Sequence, residues 1–263
     1  MREQIQEVLM TLEMEKDIKV LYACESGSRA WGLSSEASDY DVRFIYVHKK
    51  EWYLSIDQGK DVLEVSGLAL SSGDSILDMS GWELTKALRL FRKSNPSLLE
   101  WLHSNIVYTE SFSTMDRMRE LEQKTFSPIS CIYHYLKMAK GNFWDICQGK
   151  DIKVKKYLNV IRPLLIIKWI EINHTFPPIE FRFLVERLLP LGKLKEDIEM
   201  LLNRKLAGED LIVDLKMDRI KEYVEKEFEH LEIYIKGVKN EIPNPTESLN
   251  RLFREALDEV WWK

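Results

Sequence analysis

Two aspartates, Asp39 and Asp41, stand two residues apart at the head of an apolar run, DVRFIYV over 41–47. On a strand, residues i and i+2 share a face, so both carboxylates converge while Tyr40 turns away. Two carboxylates on one side repel each other unless a cation sits between them. A hard, oxygen-seeking ion such as Mg²⁺ (or Mn²⁺), commonly shared with substrate phosphates, is the natural solution. A lone D-x-D is more often a pair of solvated turn acids or a helix cap, so its weight comes from context. The run 18–24 reads as a buried strand, and Gly27 and Ser28 follow it closely. A tight turn there presents backbone N–H groups and a hydroxyl to a phosphate. Gly32 permits a second close backbone approach or a positive φ.

Other residues have chemistry within reach, each beside a plainer reading. Arg29 adjoins the Gly-Ser turn, where a guanidinium pairs with phosphate; the alternative is a surface ion pair. Arg43 lies two residues beyond Asp41, on the same strand face, and bracing of the acids is its expected role. Lys150, Lys153, Lys155, Lys156 and Arg162 form the most basic part of the second half. Lys155 and Arg162 are seven apart and so share a helix face, which would hold a triphosphate or an RNA backbone or else be solvated surface. His134 and Lys137 are helical neighbours. Trp31 and Tyr157 would stack on a base or pack in a core. Trp261 and Trp262 dock the last helix or mark a partner surface.

The elements that must position these groups are legible in outline. Apolar residues at helical spacing predict a leading helix over 2–15. Strands are expected over 18–24, 41–47, 61–65 and 75–79, with Ser71-Ser72-Gly73 as a hairpin turn between the last two. From Trp82 the pattern turns helical, with an apolar stripe at Leu84, Ala87, Leu88 and Phe91 ending near Asn95-Pro96, and 106–108 is the last strand-like run. Beyond Phe126 the spacing predicts helices over 128–147, 153–173, 180–190, 194–206, 216–236 and 245–261. The reading is therefore α+β: a domain over 1–125 with a mixed sheet, then an all-helical domain over 126–263.

Bulk properties exclude several classes. The chain has 263 residues, 45% hydrophobic and 31% charged, which describes a globular protein able to bury a core. A formal charge of -5 argues against a general nucleic-acid coat while leaving room for a local basic groove. Three cysteines without a CxxC pair point to a reducing compartment and no structural zinc. The first twenty residues carry charges throughout with no signal-type apolar core, and the longest apolar stretch is far below a membrane span. A cytoplasmic protein with no membrane partner is expected.

The segment Gly27-Ser28-Arg29-Ala30-Trp31-Gly32, followed by Ser38-Asp39-Tyr40-Asp41, resembles the signature of the DNA polymerase β-like nucleotidyltransferase superfamily. The stretches 77–108 and 154–171, the latter followed by Pro177-Pro178, resemble a bacterial and phage subfamily that includes RNA-ligase-associated members. The resemblance implies a polymerase-β-like fold and two divalent metals held by three carboxylates. Asp39 and Asp41 are two of them. Asp78, in the apolar run Ile76-Leu77-Asp78-Met79, is taken as the third, with Glu64 in Val62-Leu63-Glu64-Val65 as rival; an acid among buried neighbours is costly unless paired or metal-bound. It implies an ATP-type NTP as substrate, with Gly27, Ser28, Arg29, Ser38, Lys156 and Arg162 as nucleotide-binding residues. It also implies transfer of a nucleotidyl group to an acceptor hydroxyl on RNA, a small molecule or a protein. Two other readings fit the same fold: a catalytically silent nucleotide- or RNA-binding module, and an antitoxin-type interaction protein.

Overall fold

The computed structural model describes residues 1–35, 38–57, 59–69, 76–149, 153–209, 217–238 and 244–262. The chain forms two compact units, one of Met1–Ala30, Ala37–Thr125 and Pro243–Lys263, the other of Trp31–Glu36 and Phe126–Ile242.

The first unit opens with α1 (Arg2–Lys16), which buries Ile5, Leu9 and Leu12 and stops at Asp17, a residue in the left-handed region. There follow β1 (Ile18–Glu25), the single turn α2 (Gly27–Ala30), β2 (Tyr40–His48), α3 (Lys50–Tyr53), β3 (Val62–Ala69), β4 (Ile76–Glu83), α4 (Leu84–Phe91), α5 (Pro96–Leu102), β5 (Val107–Glu110) and α6 (Thr114–Thr125). The strands make one mixed sheet in the order β3-β4-β2-β1-β5. β2 and β4 run parallel; the other pairs are antiparallel. The architecture is α+β, with the sheet in the N-terminal part and helices after it.

Burial along β2 explains how this sheet carries a site. Its first half alternates: Val42 and Phe44 are fully buried, and Asp41 and Arg43 are half-buried. From Phe44 to Val47 every residue is buried. One face, with Val42, Phe44, Tyr46, Leu77 and Met79, packs on α1. The opposite face is covered only toward the C-terminal end of β2, which leaves Asp41 and Arg43 at an open end.

β4 runs on to Glu83 and takes in Ser80-Gly81-Trp82, which the sequence pattern had left outside the strand. Gly81 faces Phe44 across the parallel pair. A Cβ on Gly81 would lie 2.2 Å from the Phe44 ring, so only glycine lets the strand pass. Trp82 then stacks on Trp101 of α5, ring centroids 3.9 Å apart. The helices α5 and α6 were not expected, although Asn95 caps Leu98 N–H and Pro96 opens α5, a recognisable start signal. The buried carboxylate of Glu83 caps α4, accepting from Thr85 N–H at 2.8 Å and from the Tyr53 hydroxyl at 2.6 Å.

The last helix, α12 (Thr246–Trp261), belongs to this first unit, although the sequence division had counted it with the helices of 126–263. Its buried stripe, Leu249, Leu252, Ala256 and Leu257, packs on α4 and α6. Trp261 donates its indole N–H to the His48 carbonyl at 2.9 Å. Trp262 stays exposed, with the Lys50 ammonium 4.7 Å from its ring centroid.

The second unit holds α7 (Pro128–Cys147), α8 (Val154–Asn173), α9 (Phe181–Leu188), α10 (Lys193–Leu206) and α11 (Asp218–Gly237). These helices match the apolar spacing closely at both ends. Among the described residues no helix is long and apolar enough to cross a membrane.

Candidate active site

Asp41 is held on both sides of its backbone. Its carbonyl accepts from Ser26 N–H at 2.8 Å, and its N–H donates to Glu25 Oε1 at 2.9 Å. The chain then turns at Gly27, where φ is +61°. A Cβ there would meet the Asp41 carboxylate at 2.6 Å, so the glycine serves twice, once for its backbone and once for the space it leaves. The turn α2 follows, and the first N–H groups of such a turn have no partner within it.

Asp78 reaches the same place from β4. The parallel register sets Asp41 opposite Asp78, and Tyr40 opposite Leu77. Directly opposite residues point to one face, so the two carboxylates are neighbours on the open side of the sheet. Asp39 precedes β2 and is exposed. Glu64 is opposite Ser80, one strand further out, and is exposed. The register thus sets Asp78, not Glu64, beside Asp41.

Each acid has a donor. Arg43 gives Nη2 to Asp41 Oδ1 at 3.2 Å and Nη1 to the Val42 carbonyl at 3.0 Å. Asp39 Oδ1 accepts from Ile76 N–H at 3.2 Å, and Asp78 Oδ1 from Gly67 N–H at 3.1 Å. Arg29 donates to the carbonyls of Ser38 and Asp39 and stacks 3.8 Å over the Tyr40 ring. Its guanidinium therefore fixes the approach to β2. Among the described residues no three His, Cys, Asp or Glu side chains converge as a ready-made metal cage. The donor chemistry nevertheless fits a hard divalent cation: carboxylate oxygens from adjacent strands, half open to solvent, beside a glycine that clears room for one of them.

The sequence pattern missed Glu25. It is 1% exposed, at the end of a largely buried strand, and its second oxygen accepts from the Tyr108 hydroxyl. Burial pushes its pKa above the ordinary glutamate value, and Tyr108 is pushed up as well. An acid closing a buried strand just before Gly27 was the available signal. Replacing Glu25 with Ala orphans the buried Tyr108 hydroxyl, at about 1–3 kcal/mol, and the half-buried Asp41 N–H, at less. Glu25→Gln keeps the shape and an acceptor and is expected to lose less. Urea denaturation of the two variants checks the order.

Cys24 beside it is fully buried, and burial pushes its thiol up to about 12, so it stays protonated and is no nucleophile. Cys131 is buried and Cys147 exposed, and neither is in a disulfide.

The remaining predicted residues belong to the second unit. Arg162 is 3% exposed and lies 4.0 Å over the Trp31 ring. Lys156, in the first turn of α8, is half-buried. Lys155 is exposed, so it does not share Arg162's surroundings despite their seven-residue spacing: α8 is buried around its whole circumference from Val160 to Ile167. Tyr157 is 2% exposed, which makes it a core residue and removes it as a base-stacking platform. His134 is half-buried against Tyr135, and Lys137 is exposed. Lys150 and the expected turn at 71–73 lie outside the described residues.

Residues 1–255 match the RNA repair pathway DNA polymerase beta family. The uncharacterized protein YcgL of Bacillus subtilis (strain 168) is 46% identical over 261 residues, covering 99% of this chain and 98% of that protein. Among solved structures, a nucleotidyltransferase-like protein from Exiguobacterium sibiricum 255-15 is 11% identical, covering 97% of this chain and 80% of that one, with a TM-score of 0.34. A likeness that faint carries no argument about the site.

Proposed function

Since the chain belongs to the RNA repair pathway DNA polymerase beta family, we propose that it transfers a nucleotidyl group from an NTP to an acceptor hydroxyl, with an RNA end as the favoured acceptor. The observation that carries this reading is the register pairing of Asp41 with Asp78, behind a glycine whose missing side chain clears space for the Asp41 carboxylate.

In this reading Asp39, Asp41 and Asp78 would hold Mg²⁺ or Mn²⁺. A bound divalent cation would neutralise triphosphate charge and make an acceptor hydroxyl more acidic. The chain's own residues do the rest. The N–H groups of the Gly27-Ser28 turn receive phosphate oxygens, and Arg29 and Ser38 keep the strand entrance in place for them. The acceptor oxygen forms a bond to the α-phosphorus, the bond from that phosphorus to the bridging oxygen breaks, and pyrophosphate leaves. Asp78 takes the hydroxyl proton. Positioning and electrostatics account for most of such a transfer, which explains why the signature needs acids and glycines but no His or Cys nucleophile.

Incubation with each α-labelled NTP, Mg²⁺ or Mn²⁺ and pooled RNA is expected to label an RNA end and release pyrophosphate. If neither exceeds the Asp39→Ala/Asp41→Ala double variant, the enzyme reading fails and a silent binding module takes its place. Label that goes only to a protein or a small molecule keeps the reaction and replaces the acceptor.

A further inference from the structure

Basic side chains line both flanks of the last helix. Two clefts flank the first turns of α12. One, of about 120 Å³, lies against α4 and is lined by Arg89, Arg92, Thr85, Thr246 and Asn250 over buried Leu88 and Leu249. The other, of about 180 Å³, lies against α6 and is lined by Arg117, Lys124, Arg251 and Ser248, with Glu120 as its one carboxylate. Two of these cations are already engaged: Arg89 reaches Asp61 at 3.6 Å, and Arg117 pairs with Glu255. The Arg92 guanidinium donates to the Thr246 hydroxyl at 3.1 Å. Among the described residues, no carboxylate pairs with Arg92, Lys124 or Arg251, and all three are exposed.

Such a grouping stands out in a chain whose formal charge is -5. Like charges gathered on one face repel one another, a cost that a polyanion offsets by displacing its own counterions. The lining selects among polyanions. Guanidinium groups beside hydroxyls and an amide suit phosphate oxygens, which accept from forked and single donors alike. A protein partner calls for an apolar or aromatic centre within a polar rim. Here the apolar residues are already spent: Leu249 and Leu252 pack α12 into the unit, and Phe253 meets the Tyr53 ring edge-on at 5.0 Å.

We infer that the α4–α12–α6 face is a sequence-independent binding surface for the phosphate backbone of single-stranded RNA. One cleft on each flank of α12 takes phosphates of the same strand. This goes beyond the transfer reaction and does not depend on the acids of β2 and β4.

Fluorescence anisotropy of the full chain with a labelled single-stranded RNA, titrated across salt concentration without divalent metal, tests it. The Arg92→Glu/Lys124→Glu/Arg251→Glu variant is expected to bind at least tenfold more weakly near physiological salt. Its log–log salt slope should fall by about two, since each lost phosphate contact removes roughly 0.7 on single strands. The same three positions changed to Gln give a milder version with less risk to folding, and far-ultraviolet circular dichroism checks both. Lys16→Glu, at the end of α1, should bind like the parent chain. RNA affinity and slope equal to the parent's in both triple variants would overturn the inference, as would absence of salt-dependent binding by the parent. Polyglutamate competing as well as RNA would overturn it in favour of an acidic protein partner. The assay reads binding alone, so its failure and a failure to transfer nucleotides are separate results.

Discussion

Asp41→Asn is expected to lower nucleotidyl transfer by at least about a hundredfold, the loss typical when one preorganised group that stabilises developing charge is removed. The substitution keeps the side chain's shape, so the space beside Gly27 stays filled and Arg43 retains an acceptor. The Arg43 pair is partly exposed on both sides, and such pairs add about 0–1 kcal/mol, so stability should change little. Transfer rate and thermal midpoint, measured on one preparation, separate the two effects. Asp78→Asn should behave like Asp41→Asn, and Glu64→Gln should keep the parent rate. If Glu64→Gln abolishes transfer while Asp78→Asn does not, the third acid has been misassigned. A variant Asp41→Asn that transfers normally sinks the site.

Gly81→Ala makes the closest clash that an added methyl meets at any described glycine. The new carbon would lie 2.2 Å from ring atoms of Phe44, which is fully buried and has no room to retreat. Overfilling a well-packed core costs about 1–3 kcal/mol, and this site should lie at or above the top of that range. Phe44→Leu, which shortens the opposing side chain, is expected to be destabilising alone yet to absorb much of the cost of Gly81→Ala in combination. Urea midpoints for the four proteins of this cycle should show a coupling of about 1 kcal/mol or more. Strict additivity would mean that the two residues do not meet as described. Because Phe44 and Gly81 lie on the same strand pair as Asp41 and Asp78, Gly81→Ala should also slow transfer.

Much of the fold was legible because its signals are local. The helices of the second unit announce themselves by apolar spacing, and their ends agree with the pattern to within two residues. The start of β2 was readable from an alternation that ends where helices cover the second face. What was not readable depends on partners distant in sequence. Ser80 and Gly81 are poor strand formers, and they join β4 through pairing with β2 and β3, where Gly81 makes room for the Phe44 ring. α12 looks like any amphipathic helix, and nothing in its own residues says that α4 and α6 receive it. At the site, the types and spacing of Asp39 and Asp41 were legible, but the neighbourhood of Asp41 and Asp78 is a matter of strand register. Glu25 escaped notice because its role is to accept an N–H sixteen residues away, which no spacing rule anticipates. Arg29 adjoins the Gly-Ser turn in sequence, and no spacing rule anticipates that its guanidinium donates to the carbonyls of Ser38 and Asp39.

The pairing of Phe44 with Gly81 has one more consequence, for how sequences of this kind can drift. Asp41 precedes Phe44 by three residues, and Asp78 precedes Gly81 by the same three. The two intervals work as a reading frame: the bulky residue and the glycine set the phase, and the acids keep it. A one-residue insertion or deletion within either interval would send a carboxylate through the sheet to the α1 side. By contrast, lengthening the stretch between α3 and β3 leaves both intervals intact and adds to loop closure about 0.6 kcal/mol for each doubling. Lineages carrying this site should therefore tolerate many letters changed and almost no lengths changed between acid and anchor.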